Sequence, residues 1–216
     1  MSDAGQGGSP HSSPVDEEEA PTAMLVVLSG PSGVGKDAVV STIRSRNRPY
    51  HIAVTATTRP KRASEVDGVD YIFIDRQDFE HMVEESDLLE WAVVYGNLYG
   101  VPKSQVSDAL AMGADVIVKT DVQGAATIRK LVPDALLLFL APPSEAELEA
   151  RLKQRMTESP EALRIRLTTA KEEMKEADRF DYVVVNHSGR LDETVAEIEA
   201  VVTAERKRKP PRRIVL

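Results

Sequence analysis

The chain has no cysteine in 216 residues. Disulfides and thiolate metal sites are therefore excluded, and the composition suits a reducing cytosol. Long apolar runs are missing too: none reaches the roughly 18–20 residues a bilayer span needs, so no membrane partner is expected. Residues 1–22 lack the apolar core of a secretory signal, and a cytoplasmic location is expected. Positive charge is also short, with 27 Lys and Arg against 35 Asp and Glu for a net charge of −8. A generic nucleic-acid binder needs the opposite balance to displace counterions, so no nucleic-acid partner is expected. The remainder, 42% apolar and 29% charged, is ordinary for a soluble globular enzyme.

Residues 1–22 are rich in Gly, Ser, Pro and acid, and are expected to form a disordered tail. Residues 209–216 are expected to form a basic C-terminal tail, and ERKRKPPRR reads as a solvated helix end. Between these ends apolar residues come in short bursts. MLVVLS (24–29), DVIVKTD (115–121), ALLLFLAP (135–142) and YVVVN (182–186) have the length and continuity of buried parallel strands. A helix is predicted from Lys36 to Ser45, and QGAATIRKL, SEAELEARLKQR and residues 161–177 form helical stretches between the later strands. Ser144 and Glu147 have the spacing of a capping box. This alternation predicts an α/β fold, a parallel sheet with helices on both faces. Residues 52–101 break the rhythm with short aromatic strands (YIFI, LEWAVVYGNLYG) and a small helix near 76–85, which reads as an inserted α+β lobe.

Residues 30–37, GPSGVGKD, follow the first strand and open the first helix. Strand, glycine-rich turn and helix N-terminus together trap anions, because backbone N–H groups converge on the phosphates and the helix dipole adds partial positive charge. Gly30, Pro31, Ser32, Gly33, Val34, Gly35, Lys36 and Asp37 are the candidate ATP-binding residues. Lys36 is placed to reach the β- and γ-phosphates. The pattern normally ends in Ser or Thr, whose hydroxyl touches Mg²⁺; here it ends in Asp37.

TTRPKRASEVDGVDYIF (57–73) resembles the nucleoside-monophosphate-binding segment of guanylate kinases. EWAVVYGNLYG (90–100) and TDVQGA (120–125) are similar to the next two motifs of that family, and RLKQR…R (151–166) to its arginine-bearing lid. The resemblance covers roughly residues 24–208. It implies a P-loop three-layer fold, with a core at 23–54 and 102–208, a GMP-binding lobe at 55–101 and a helical lid near 151–166. It also implies ATP-dependent phosphorylation of GMP and dGMP, with Mg²⁺ accompanying ATP.

By this resemblance Thr55, Arg59, Arg62, Tyr71 and Tyr99 bind the GMP phosphate, where guanidinium forks and tyrosyl hydroxyls suit a monoester. Glu90 follows two leucines, and its carboxylate would accept from N1–H and the 2-amino group of guanine, donors that adenine lacks in that arrangement. Asp121 ends an apolar strand and would help read the base or the metal shell; a helix N-cap is its bland alternative, and the two roles are compatible. Arg151, Arg155 and Arg166 would close on the triphosphate, and Asn186 would lie near adenine. Lys36, Arg59 and the lid arginines make the catalytic set. The acceptor phosphate is already ionised, so none of the four histidines is needed as a base.

Four positions depart from the family pattern: Asp37 for Ser/Thr, Val101 for Ser/Thr, Lys119 for an acid and Met156 for a lid glycine. Lys119 and Asp121 share a face of one strand. Asp37 therefore either binds Mg²⁺ itself or pairs with Lys119. Two other functions stand beside the kinase: a non-catalytic interaction module of the same fold, and a P-loop sugar-phosphate kinase. Oligomeric state is left open between monomer and homo-oligomer.

Overall fold

The computed structural model describes residues 23–46, 48–154 and 160–216. The expected tail at 1–22, and the candidates Arg155 and Met156, lie outside the described residues. In chain order the first half runs β1 (Leu25–Ser29), α1 (Lys36–Ser45), β2 (Tyr50–Ile52), β3 (Ala56–Thr57), β4 (Ile72–Phe73) and α2 (Arg76–Glu84). A hairpin of β5 (Leu88–Val94) and β6 (Asn97–Pro102) follows, then α3 (Lys103–Ala111), β7 (Asp115–Lys119) and α4 (Val122–Leu131). The chain closes with β8 (Leu136–Ala141), α5 (Glu145–Gln154), α6 (Pro160–Met174), β9 (Tyr182–Val185) and α7 (Leu191–Arg206).

A five-stranded sheet has the order β2-β7-β1-β8-β9, and every pairing in it is parallel. The central position of β1 explains why MLVVL (24–28) is apolar throughout: side chains alternate between faces and both faces are covered. Val26 and Leu28 pack with Val39, Val40 and Ile43 of α1 and with Val195, Ile198 and Val202 of α7. Leu25 and Val27 pack with Val106 of α3 and with Ala125 and Ile128 of α4. Burying each of these Val, Leu and Ile side chains is worth about 1.5–3 kcal/mol. The chain is thus an α/β protein with helices on both faces of a parallel sheet.

A second sheet, β4-β3-β6-β5, takes its strands from between Ala56 and Pro102. It closes over a small cluster around Phe79 of α2, with Leu88 and Leu98. The β5–β6 hairpin turns on Tyr95 and Gly96, both at positive φ (49° and 79°), as a two-residue turn matched to strand twist requires.

Two local readings need correction. Only half of the capping box at Ser144 forms: Glu147 N donates to Ser144 Oγ at 3.2 Å, while the Glu147 carboxylate binds Arg151 and Ser188 instead. The basic C-terminal stretch is not solvated throughout, although Val215 and Leu216 are exposed. Arg212 is buried, donating to Glu205 at 2.7 Å and to the carbonyls of Asp134 and Ala135.

Candidate active site

The five strands point their carboxyl ends at a cleft of about 640 Å³ between the parallel sheet and the inserted lobe. On one wall, β1 delivers the loop from Gly30 to Gly35. A Cβ at Gly30 would lie 2.2 Å from the carbonyl oxygen of Leu140, so the loop can leave the strand only as glycine. Gly35, at φ 105°, forms the N-cap of α1. Asn186 Nδ2 holds the Val34 carbonyl at 2.8 Å and Arg151 Nη1 holds it at 3.0 Å. In a planar trans peptide the next N–H points opposite to that carbonyl, so this brace aims Gly35 N–H toward the cleft. Asn186 is itself fixed by Thr194 Oγ1 at 3.2 Å, and Arg151 also donates to Asn186 O at 2.7 Å.

Arg151 and Asn186 therefore stand behind the loop, and neither lines the cleft, unlike the direct ATP contacts expected for them. Lys36 does line it, donating to the carbonyls of Gly30 and Pro31. Burial lowers the Lys36 ammonium below its ordinary range, with Glu173, Asp37 and Asp121 opposing the shift.

The opposite wall belongs to the lobe. Thr55, Arg59, Arg62, Tyr71, Glu90 and Tyr99 all line the cleft. Arg59 pairs with Glu65 at 2.7 Å and stacks 5.4 Å from the Tyr71 ring centroid; Arg62 lies 3.6 Å from the same carboxylate. Burial alone would lower the Arg59 guanidinium and raise the Glu65 carboxyl, but their hydrogen bond reverses both shifts. The rings of Tyr71 and Tyr99 meet edge to face at 6.1 Å.

Glu90, on β5, is 3% exposed. Its Oε1 accepts from Thr120 Oγ1 at 2.9 Å, whereas Oε2 is buried with no hydrogen-bond partner among the described residues. A Cβ on Gly124 would come within 2.3 Å of that oxygen, so Gly124 leaves it space. Burial pushes the Glu90 carboxyl up to about 8; Thr120 pulls it down, and Asp121 adds a further upward push. Asp121 lines the cleft and also caps α4, accepting from Gly124 N at 2.8 Å. Val101, opposite Glu90 in the β5–β6 ladder, is fully buried in the apolar core.

From α6, Arg166 donates to Ser32 Oγ at 3.0 Å and lies 5.7 Å from the Tyr95 ring, which links phosphate loop and lobe. Glu173 of the same helix accepts from Ser32 N at 2.9 Å, and burial raises its carboxyl above the ordinary range. The sequence reading missed Glu173, Thr120, Tyr95 and Glu65. Their proximity is created by folding, although Glu65, Tyr95 and Thr120 lie inside the quoted motifs and could have been noted there.

Asp37 and Lys119 form an ion pair, with Nζ 2.6 Å from Oδ1. Lys119 Nζ also sits 4.0 Å from the Tyr71 ring centroid, and the Tyr71 hydroxyl donates to the same Asp37 oxygen at 3.3 Å. Burial would lower the Lys119 ammonium, but Tyr71 and Asp37 outweigh it and leave it raised. Among the described residues no group of three or more His, Asp or Glu forms a metal cage.

The guanylate kinase family model matches residues 22–205. The guanylate kinase of Carboxydothermus hydrogenoformans is 48% identical over 189 residues, spanning 88% of this chain and 91% of that protein. Guanylate kinase 2, chloroplastic/mitochondrial, of Oryza sativa subsp. japonica is 46% identical over 187 residues, 86% of this chain but 66% of the rice protein. A crystal structure of guanylate kinase from Anaplasma phagocytophilum superposes with a TM-score of 0.73 at 28% identity, covering 88% of this chain and 89% of that one.

Proposed function

Since the chain belongs to the guanylate kinase family, we propose that it transfers the γ-phosphoryl group of ATP to the phosphate of GMP, giving ADP and GDP. The observation that carries the acceptor assignment is Glu90: a buried carboxylate oxygen without a partner, facing a cleft whose other wall is a phosphate loop. Leaving such an acceptor unsatisfied costs roughly 1–3 kcal/mol or more. A guanine edge supplies two N–H donors where an adenine edge supplies the wrong pattern, so GMP is bound and AMP refused.

Arg59, Arg62, Tyr71, Tyr99 and Thr55 then receive the GMP phosphate, with Glu65 exchanged for the phosphate as partner of the two arginines. The backbone N–H groups of the loop and Lys36 hold the β- and γ-phosphates of ATP. Arg166 reaches the cleft from α6 and offsets charge as it spreads over the transferred group. Arg151 and Asn186 act as positioning residues that shape the loop.

Membership in a family of ATP-dependent kinases implies a divalent cation, and Mg²⁺ is the ion we assign. Asp37 is a hard oxygen donor at the head of the loop, but its Oδ1 is already held by Lys119 and Tyr71, so the ion would take most of its ligands from phosphates and water. A bound ion would supply charge neutralisation to the triphosphate. The protein's own part is positioning, because an ionised phosphate acceptor needs no general base. Closure of α6 and the lobe over both nucleotides excludes water and suppresses ATP hydrolysis. Among the described residues no helix is long and apolar enough to cross a membrane.

Coupled ADP-release assays with GMP, dGMP, AMP, UMP and ribose bisphosphate test the proposal. Turnover is expected with GMP and dGMP, and its absence with GMP overturns the reading. An interaction module would turn over none of them, and a sugar-phosphate kinase only the last.

A further inference from the structure

Lys119 ends β7 beside β1, in register with Leu28, so its side chain emerges at the carboxyl edge of the sheet. The residue is 9% exposed, while the Asp37 side chain that it pairs with is 50% exposed. Water could solvate a half-exposed carboxylate without help. The buried ammonium is held charged by Tyr71 and Asp37 together, not by the carboxylate alone. Balancing Asp37 is therefore an incomplete reason for a lysine here.

Its position supplies a better one. Asp37 directly follows Lys36, the lysine of the phosphate loop, while the Tyr71 ring that Lys119 lies against also carries Arg59 of the lobe. The ammonium thus stands at the junction of the two phosphate-binding walls. It carries three N–H donors, more than Asp37 and Tyr71 use.

We propose that Lys119 is a further phosphate-contacting residue, a fixed cation on the path between donor and acceptor phosphates, with Asp37 as the residue that positions it. This rests on the GMP kinase reading. In the reaction a bond forms between a GMP phosphate oxygen and the γ-phosphorus, and the bond from that phosphorus to the β,γ-bridging oxygen breaks. Lys119 keeps its proton and forms no bond to phosphorus; it neutralises charge on the oxygens that move. The acid expected at this position by family pattern would leave that task to the arginines and the metal alone.

The test compares Asp37→Asn with the double variant Asp37→Asn/Lys119→Met. The probe is adenosine-guanosine pentaphosphate, which spans both walls, bound in EDTA and followed by calorimetry. With Asp37 already neutral, removing Lys119 is expected to weaken the probe about tenfold or more, the loss of one charge-assisted contact. Guanosine affinity is expected to stay unchanged, and kcat with Mg²⁺ to fall by a similar factor. Equal probe affinity in the two variants would falsify the proposal, because Lys119 would then merely balance Asp37. Should the methionine variant fail to fold, Lys119→Gln in the same background carries the comparison, and Lys119→Arg is expected to restore most of the affinity. Absence of GMP turnover by the unaltered protein would sink the parent reading instead, so the two failures are distinct.

Discussion

The two walls of the cleft are built on opposite principles. In the phosphate loop the conformation is fixed from behind: the Val34 carbonyl has two donors, Asn186 has its own anchor in Thr194, and Lys36 rests on the carbonyls of Gly30 and Pro31. In the lobe, polar groups are held by substitutes or by nothing. Glu65 occupies the arginines, and Glu90 Oε2 has no partner among the described residues. A wall that binds any triphosphate needs only rigid N–H groups. One that must choose a base keeps an unmet hydrogen-bonding capacity, which the correct base satisfies and the wrong one leaves unsatisfied.

The most damaging change on the loop side is Lys36→Met. Its two contacts are to loop carbonyls, so the fold should survive, while kcat falls by about 10³-fold, the loss of one preorganised charge on the phosphoryl group. A kcat within a few-fold of the unaltered protein would show that the loop's backbone alone suffices. On the lobe side, Glu90→Gln turns one acceptor into a donor facing guanine. Here kcat/KM for GMP should drop roughly 10²-fold, about 3 kcal/mol, with KM for ATP unmoved. Equal losses for both substrates would erase the distinction between the walls.

Protons sharpen the comparison further. A carboxyl held near 8 is mostly neutral at pH 7, whereas accepting from two guanine N–H groups requires the anion. GMP binding should therefore expel about 0.9 proton at pH 7 and about 0.1 at pH 9, a difference calorimetry reads in buffers of unlike ionisation enthalpy. That range lies above the phosphate's own second pKa of about 6. Over the same interval log(kcat/KM) for GMP should climb and then level near pH 8, and Glu90→Gln should flatten the climb. The sign for folding is opposite. Raised above its ordinary 4.5, the carboxyl costs stability progressively from there up to about 8, so Glu90→Gln should raise Tm at pH 9 and leave it unchanged at pH 4.

The sequence made the loop and its strand legible because both obey local rules: an apolar burst buried on two faces, then glycines where no side chain fits. Lys36–Ser45 as a helix follows from the same rules and matches α1. The pairing of Asp37 with Lys119 was also readable, since two departures of opposite charge in one motif set suggest a shared site. Glu173 could not be found this way. Within KEEM it is one acid among several on a solvated helix, and only the packing of α6 against Ser32 singles it out. Arg151 shows the converse: its motif matched, but which way a long side chain turns is decided by the carbonyls it meets, here those of Val34 and Asn186.

Asn186 offers the smallest and most diagnostic effect. It does not line the cleft, yet its amide fixes the peptide whose N–H is aimed toward the cleft. Replacing it with Ala removes two buried side-chain hydrogen bonds, to the Val34 carbonyl and from Thr194 Oγ1, while Arg151 still serves that carbonyl and Thr194 still reaches the Arg190 carbonyl, so the stability cost should be about 1–3 kcal/mol. If the loop works because it is held rather than because of what it touches, the freed peptide should raise KM for ATP several-fold. KM for GMP, read on the other wall, should not change. Parallel Michaelis series with each nucleotide varied in turn separate the outcomes. A rise confined to GMP would mean that the brace and the base-reading wall are coupled, and that the two walls are one device rather than two.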